Sequence, residues 1–235
     1  MGKRKAGLFF GAALLAFIAA VAVLLSLNIR KLHDTGRVYE EIRSGEGTEN
    51  ELAAMAEKNP DVIGYLTVED TMISCVIVQG EDNLTYLGKA ADESASFAGT
   101  PFLDYRNSAD FTDPYSVIYG HLVEDRLMFG DLKLFEDPDF WENERTGSLT
   151  LKDGTAYEIR FVAYLRADSK DSRIFDPIRA RNNWKQEFLD GIAADFLIGE
   201  EQIVPEDRIL ALSTCSSYES EERIVILGKL YRTEG

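Results

Sequence analysis

What most constrains the fold of this chain is a succession of short β-branched and aromatic runs separated by turn-forming residues. From Val62 onward they read "VIGYLTV" (62–68), "MISCVIV" (72–78), "GTPFLD" (99–104), "YSVIYG" (115–120), "SLTL" (148–151), "YEIRFVAYL" (157–165), "RILALST" (208–214) and "RIVILGKLYR" (223–232). Runs of this length and composition predict eight strands. Asp153-Gly154 stands between the fifth and sixth runs and predicts a tight hairpin. Helical periodicity is confined to two inserts. One is Glu124 to Phe135, with Leu127, Met128, Leu132 and Phe135 on one stripe; the other is Ala180 to Ile198, with Trp184, Phe188, Ile192 and Phe196 on another. Many strands with few, localised helices point to a mostly antiparallel barrel or sandwich rather than a βαβ sheet.

The N-terminal part is of a different kind. Leu8 to Ile29 contains no charged residue, and as a helix rising about 1.5 Å per residue it would cover a bilayer core of about 30 Å. The alternative, a cleaved signal peptide, has a shorter apolar region of roughly 7–15 residues. A retained transmembrane helix is therefore expected over 8–29. Lys3, Arg4 and Lys5 precede it, while Arg30 and Lys31 are followed by Asp34 and a strongly acidic chain. The positive-inside rule then keeps 1–7 in the cytoplasm and places the rest outside the cell membrane. Residues 30–60 read as a helical lead-in with Leu52, Met55 and Ala56 at helical spacing, stopped at Asn59-Pro60. The β-rich domain occupies 61–235.

Composition excludes some functions. A formal charge of −16 is unsuited to tracking phosphates, so no nucleic-acid partner is expected. With two cysteines and two histidines, a structural zinc site would need all four at unusual spacings, so no metal is expected either.

Three residues carry possible chemistry. Cys215 directly follows an apolar strand and precedes the polar loop "SSYESEE", a place where a rigid element can present a nucleophile. His121 ends "YSVIYG" after Gly120, whereas His33 sits just beyond the apolar N-terminal segment. A Cys/His pair would therefore be Cys215 with His121. Arg223 opens the last strand, and a short loop between antiparallel strands would return it beside Cys215, where a fixed cation can stabilise an oxyanion. Other readings stand beside this one. A cysteine at a strand end is commonly a small packed hydrophobe, and Cys75 and Cys215 would be able to form a disulfide outside the membrane. Ile73, Cys75 and Ile77 share a strand face, which also fits a plain buried thiol at 75. A papain-like arrangement is disfavoured because its nucleophile opens a helix. Glu124 and Asp125 lack the alternating ligand spacing of a calcium loop.

Taken together, the motifs resemble one family. "LSTC" followed by Arg223 resembles the T-L-x-T-C plus Arg signature of sortases, and "YSVIYGH" resembles their histidine strand. "NPDVIGYLTVEDTMISCVIVQGEDNLTYL" (59–87), "GHLVEDRLMFGDL" and the long insert between the sixth and seventh strands are similar to class B members. The likeness covers roughly Asn59 to Tyr231. There are departures: Ala211 replaces the first Thr of the signature, Leu122 follows the histidine where Asn is frequent, Cys75 is unusual in its strand, and Ser216 stands where an acid sometimes occurs.

The resemblance implies a closed eight-stranded β-barrel with helical inserts, and a membrane-anchored cysteine transpeptidase needing no cofactor. Cys215 would attack the Thr carbonyl of an LPXTG-like or NPXTX-like C-terminal sorting signal on a secreted protein and form a thioester. His121 would act as acid and then base, and Arg223 would steady the oxyanion. A peptidoglycan amine would then receive the protein. A free nucleophilic thiol argues against the disulfide. Thr214 and Tyr218, and the polar stretch Ser169 to Arg179, are candidates for substrate contact. Thr214, pointing away from Cys215 by strand alternation, would position rather than react. Two alternatives remain: a pilin-polymerising enzyme with a Lys acceptor, and a catalytically inactive peptide-binding domain. Since a free thiol titrates near 8.5 and an imidazole near 6.5, thiolate and imidazolium coexist only in a minority at neutral pH. A slow enzyme is expected.

Overall fold

The computed structural model describes residues 48–122, 128–143, 145–179, 191–193, 196–199, 203–215 and 220–233, with Thr48, Glu49, Asn50 and Cys215 through their backbones only. These lie in one compact unit, Ile42–Gly235. The expected span 8–29, the first part of the lead-in, residues 180–190, Glu124, Asp125, Leu127, Ser216 and Tyr218 fall outside the described residues. Among the described residues no helix is long and apolar enough to cross a membrane.

All eight expected strands are present: β1 (Val62–Val68), β2 (Ser74–Val78), β3 (Phe102–Leu103), β4 (Tyr115–Tyr119), β5 (Thr146–Leu151), β6 (Ala156–Asp168), β8 (Ile209–Cys215) and β9 (Glu222–Arg232). They form a ring in the order β5-β1-β2-β3-β4-β8-β9-β6, closed by the β5–β6 pairing. Most neighbours are antiparallel, but β2–β3 and β4–β8 run parallel. Closure gives every strand of the ring a neighbour on both sides. The Asp153-Gly154 hairpin forms as expected, with Gly154 at φ +86° and Leu151 N–H donating to Thr155 O at 2.7 Å.

The strands read as nearly continuous apolar runs because both of their faces are covered. Leu210, Leu212, Ile224 and Ile226 turn inward to join Leu66, Ile73, Cys75 and Ile77 in the barrel core. The intervening residues Ile209, Ala211, Val225 and Leu227 face outward, onto Ile174, Ile192 and Ile203 of the chain between β6 and β8. Fully burying an isoleucine such as Ile174 or Ile192 contributes about 1.5–3 kcal/mol, which holds that insert against the barrel wall. The helix α1 (Thr48–Lys58) seals another part of the wall, with Leu52 packed among Val62, Tyr65 and Val76, and Met55 and Ala56 beside it.

Two elements differ from the sequence reading. The stripe expected to be α-helical after the histidine is a 3-10 helix, η1 (Phe129–Glu136), followed by α2 (Pro138–Asn143). Its buried residues Phe129, Leu132 and Phe135 recur every third position, and side chains at that interval eclipse on one face of a three-residue turn. The second difference is β7 (Phe196–Gly199), a ninth strand where helix was expected to run to Ile198. β6 is long: β5 covers one edge over Ala156–Arg160, and beyond it Ala163–Leu165 would be unpaired on that side without β7. An open edge accepts whatever extended segment lies near, over the segment's own helical preference.

Candidate active site

The site is assembled by register. β4 and β8 run side by side, with Tyr119 opposite Ser213, and the Gly120 N–H extends the ladder by donating to Ser213 O at 3.0 Å. The next residue along the chain is His121. On the other edge of β8, the last antiparallel pair is Cys215 opposite Arg223. Position 215 therefore ends the central strand of three, at the barrel end where β4 delivers His121 and Arg223 stands one residue after the start of β9 at Glu222. This is the geometry expected of a short β8–β9 connection.

His121 is held on several sides. Its Nε2 lies 2.9 Å from Leu87 O. A carbonyl oxygen only accepts, so the ring proton resides on Nε2 and Nδ1 is the nitrogen left to exchange a proton. Its own carbonyl accepts from the Phe129 N–H at 3.3 Å, which ties it to the start of η1. Gly99, at φ +63°, passes so close that a Cβ there would stand 2.9 Å from the ring Cδ2 and 2.7 Å from Tyr86 O. Gly120 is equally crowded, since its Cβ would fall 2.5 Å from Cγ of Phe129.

Arg223 lies half-buried and donates through Nη1 to Ser220 O at 3.0 Å and Glu222 O at 3.3 Å. Its neighbour Glu222 accepts from Arg166, which also donates to Glu136 at the end of η1. Thr214 is buried, in line with the inward-facing Leu210 and Leu212, and its hydroxyl has no hydrogen-bond partner among the described residues. Ser169 to Arg179 is not uniformly polar. It contains the short helix α3 (Ser172–Phe175), capped by Asp171, whose Ile174 is fully buried against the barrel. Cys75 is a free, buried thiol in the barrel core, pushed up to about 12 by burial and secondarily by the charge of Glu51. That removes the Cys75–Cys215 disulfide.

Sequence reasoning missed a buried carboxylate beneath the site. Asp104 is fully enclosed. Its Oδ1 accepts from the backbone N–H and Nε of Arg106, and its Oδ2 from Arg106 Nη2, Asn83 Nδ2 and the Tyr119 hydroxyl. Burial alone would raise its pKa, but the Arg106 bonds and Asn83 hold the carboxyl below the usual carboxylate range. The Tyr119 hydroxyl is driven well above its ordinary value, first by burial and then by the Asp104 charge. "LDYRN" (103–107) did carry a signal, an acid at a strand end with Arg two positions on. Leu87 left none, because the group used is its backbone carbonyl.

No protein-family model matches the chain. It is similar to sortase B of Listeria monocytogenes, at 31% identity over 193 residues that cover 77% of this chain and 74% of that protein. Among solved structures, a Streptococcus pyogenes class B sortase involved in pilus biogenesis shares 36% identity with a TM-score of 0.71, covering 76% of this chain and 96% of that one. Sortase B from the type II pilus of Streptococcus pneumoniae shares 32% identity with a TM-score of 0.62, over 76% and 97% of the two chains. With its closed eight-stranded barrel, the chain belongs to the class B sortases, cysteine transpeptidases that anchor proteins to the cell wall.

Proposed function

We propose that Cys215, His121 and Arg223 form the catalytic centre of a membrane-anchored transpeptidase acting on a C-terminal sorting signal. The observation that carries this is the strand register, which sets Cys215 opposite Arg223 and on the strand beside β4, which leads through Gly120 to His121. The Cys215 thiolate attacks the Thr carbonyl carbon of an LPXTG-like or NPXTX-like signal on a secreted protein. The resulting oxyanion is met by the Arg223 guanidinium, a fixed cation needing little reorganisation. The C–N bond breaks as His121 protonates the departing amine through Nδ1, which leaves a thioester on Cys215. An incoming peptidoglycan amine then attacks the thioester, His121 takes its proton, and the C–S bond breaks to restore the thiolate. Thr214 supports the strand from within the barrel, and Tyr218 is proposed to contact the signal peptide. The segment 8–29 holds the enzyme in the cell membrane as a single pass, N-terminus cytoplasmic and catalytic domain outside.

A second reading concerns the acceptor. One similar structure is a class B sortase involved in pilus biogenesis and another a sortase B from a type II pilus, which supports a pilin Lys side chain as the alternative to the peptidoglycan amine. The test is mass spectrometry on the full chain in detergent, with LPXTG-like and NPXTX-like peptides and either triglycine or a pilin-type Lys peptide as amine. Cleavage after Thr with the amine joined on, lost in Cys215→Ala, supports the proposal, and the better amine names the acceptor. Folded, reduced protein that forms no thioester with any peptide overturns it in favour of an inactive binding domain.

A further inference from the structure

The Asp104 carboxylate does more than close the barrel, because the guanidinium it binds continues outward. Arg106 Nη2, besides reaching Asp104 at 2.8 Å, donates to Phe175 O at 2.7 Å, and Nη1 donates to Asp176 Oδ1 at 3.1 Å. Phe175 ends α3 and Asp176 is its C-cap. On the inner side, Asp104 accepts from Tyr119, on the strand that delivers His121. A single planar cation thus spans from the insert to the carboxylate that also holds the His121 strand.

Compensating the buried Asp104 charge requires only the inner edge of the guanidinium. The outer edge does nothing for that charge. Its partner Asp176 has a side chain 37% exposed, and a pair so wetted adds little to fold stability. What the outer edge does supply is a fixed distance between the insert and the barrel. Arginine suits this because its rigid fork serves two directions at once, whereas a lysine ammonium is a point charge that would satisfy Asp104 alone.

We infer that Arg106 is a positioning residue for the transpeptidation, holding the Phe175–Asp176 corner of the insert at a set distance from the His121 strand and so setting affinity for the sorting peptide. The inference rests on the proposed function and on the expectation that Ser169 to Arg179, which contains this corner, contacts the sorting peptide. Asp104 belongs to the same device as its buried anchor.

The test uses the full chain in detergent, the peptide that the wild type processes best, and triglycine as acceptor. Active enzyme is counted by titrating the reactive thiol, so that misfolded protein lowers the count rather than shifting KM. Asp176→Ala is expected to raise KM roughly 2- to 5-fold with kcat per titrated site unchanged. Asp176→Glu is expected to stay near wild type. Arg106→Lys keeps the charge beside Asp104 and so keeps the fold, but raises KM roughly 10-fold. KM unchanged in both Asp176→Ala and Arg106→Lys overturns the inference while leaving the transpeptidase intact. So does a loss confined to the number of titratable sites. A wild type that processes no peptide overturns the proposed function, and the inference with it.

Discussion

Replacing Gly120 with alanine puts the assembly of the histidine strand under direct load. An ideal Cβ at this position would stand 2.5 Å from Cγ of Phe129, 2.6 Å from Cδ2 and 2.9 Å from Cδ1. Carbon atoms normally rest about 3.5–4.0 Å apart, so ring and methyl must separate by about 1 Å. The ring has nowhere to go, because Phe129 is fully buried and packed in the barrel core with Leu132 and Phe135 at the density of an organic crystal. The other escape is backbone movement at Gly120, which stretches its 3.0 Å bond to Ser213 O and carries His121 with it. Overpacking of this kind costs about 1–3 kcal/mol, and with the ring held and the backbone escape straining a ladder hydrogen bond the upper end applies. At about 2–4 °C per kcal/mol for a domain of this size, the midpoint of thermal unfolding should fall by about 6–12 °C. A displacement near 1 Å at a catalytic group costs about 100-fold in rate, so with His121 in its proposed role kcat of the surviving folded enzyme should fall by up to that factor. Urea unfolding and single-turnover thioester formation measure the two effects separately. Phe129→Leu in the same chain frees space and should restore part of both, as a coupling between the two substitutions. A Gly120→Ala variant within about 0.5 kcal/mol of wild type and within two-fold in kcat would refute the packing argument, as would strict additivity of the pair.

Two further outcomes follow from the buried groups. Asp104 has its folded-state pKa depressed, so its contribution to stability is present above the unfolded value of about 3.9 and is lost as pH falls through the lower folded value. The stability gap between wild type and Asp104→Asn should therefore be largest near neutral pH and shrink below about pH 4; a gap constant from pH 7 to pH 3 in urea titrations would show that the charge is not what matters. Cys75, with its thiol pushed up to about 12 by burial, should resist iodoacetamide at pH 8 until denaturant is added, leaving one adduct at Cys215 in the folded chain. Rapid modification of both cysteines in the folded state would contradict the buried placement.

Much of the barrel was legible because strand-forming character is local. Val62–Val68 was read to the residue, and the turn at Asp153-Gly154 needed only its two residue types. Residue type and placement at strand ends made His121, Cys215 and Arg223 visible, the family signature agreed, and the register brought their positions to one barrel end. Phe196 to Ile198 reads as helix in the sequence because its pairing with β6 depends on an edge that β5 leaves uncovered far away in the chain. The stripe after the histidine was assigned the wrong helix, since a three-residue apolar spacing fits both α and 3-10 turns until the packing against β8 and β9 selects one.

By itself, the sequence determined which segments extend, where the sharpest turn falls and which side chains are chemically able to act, because these depend on backbone preference and side-chain type within a few residues. Tertiary structure alone decided that β5 meets β6 to close the ring, that Leu87 lends its carbonyl to His121, and that Asp104 gathers Asn83, Arg106 and Tyr119 around one charge. Every peptide unit offers the same carbonyl, and every exposed carboxylate resembles a buried one in sequence. Only the path of the chain determines which of them is taken out of water and must find its partners there.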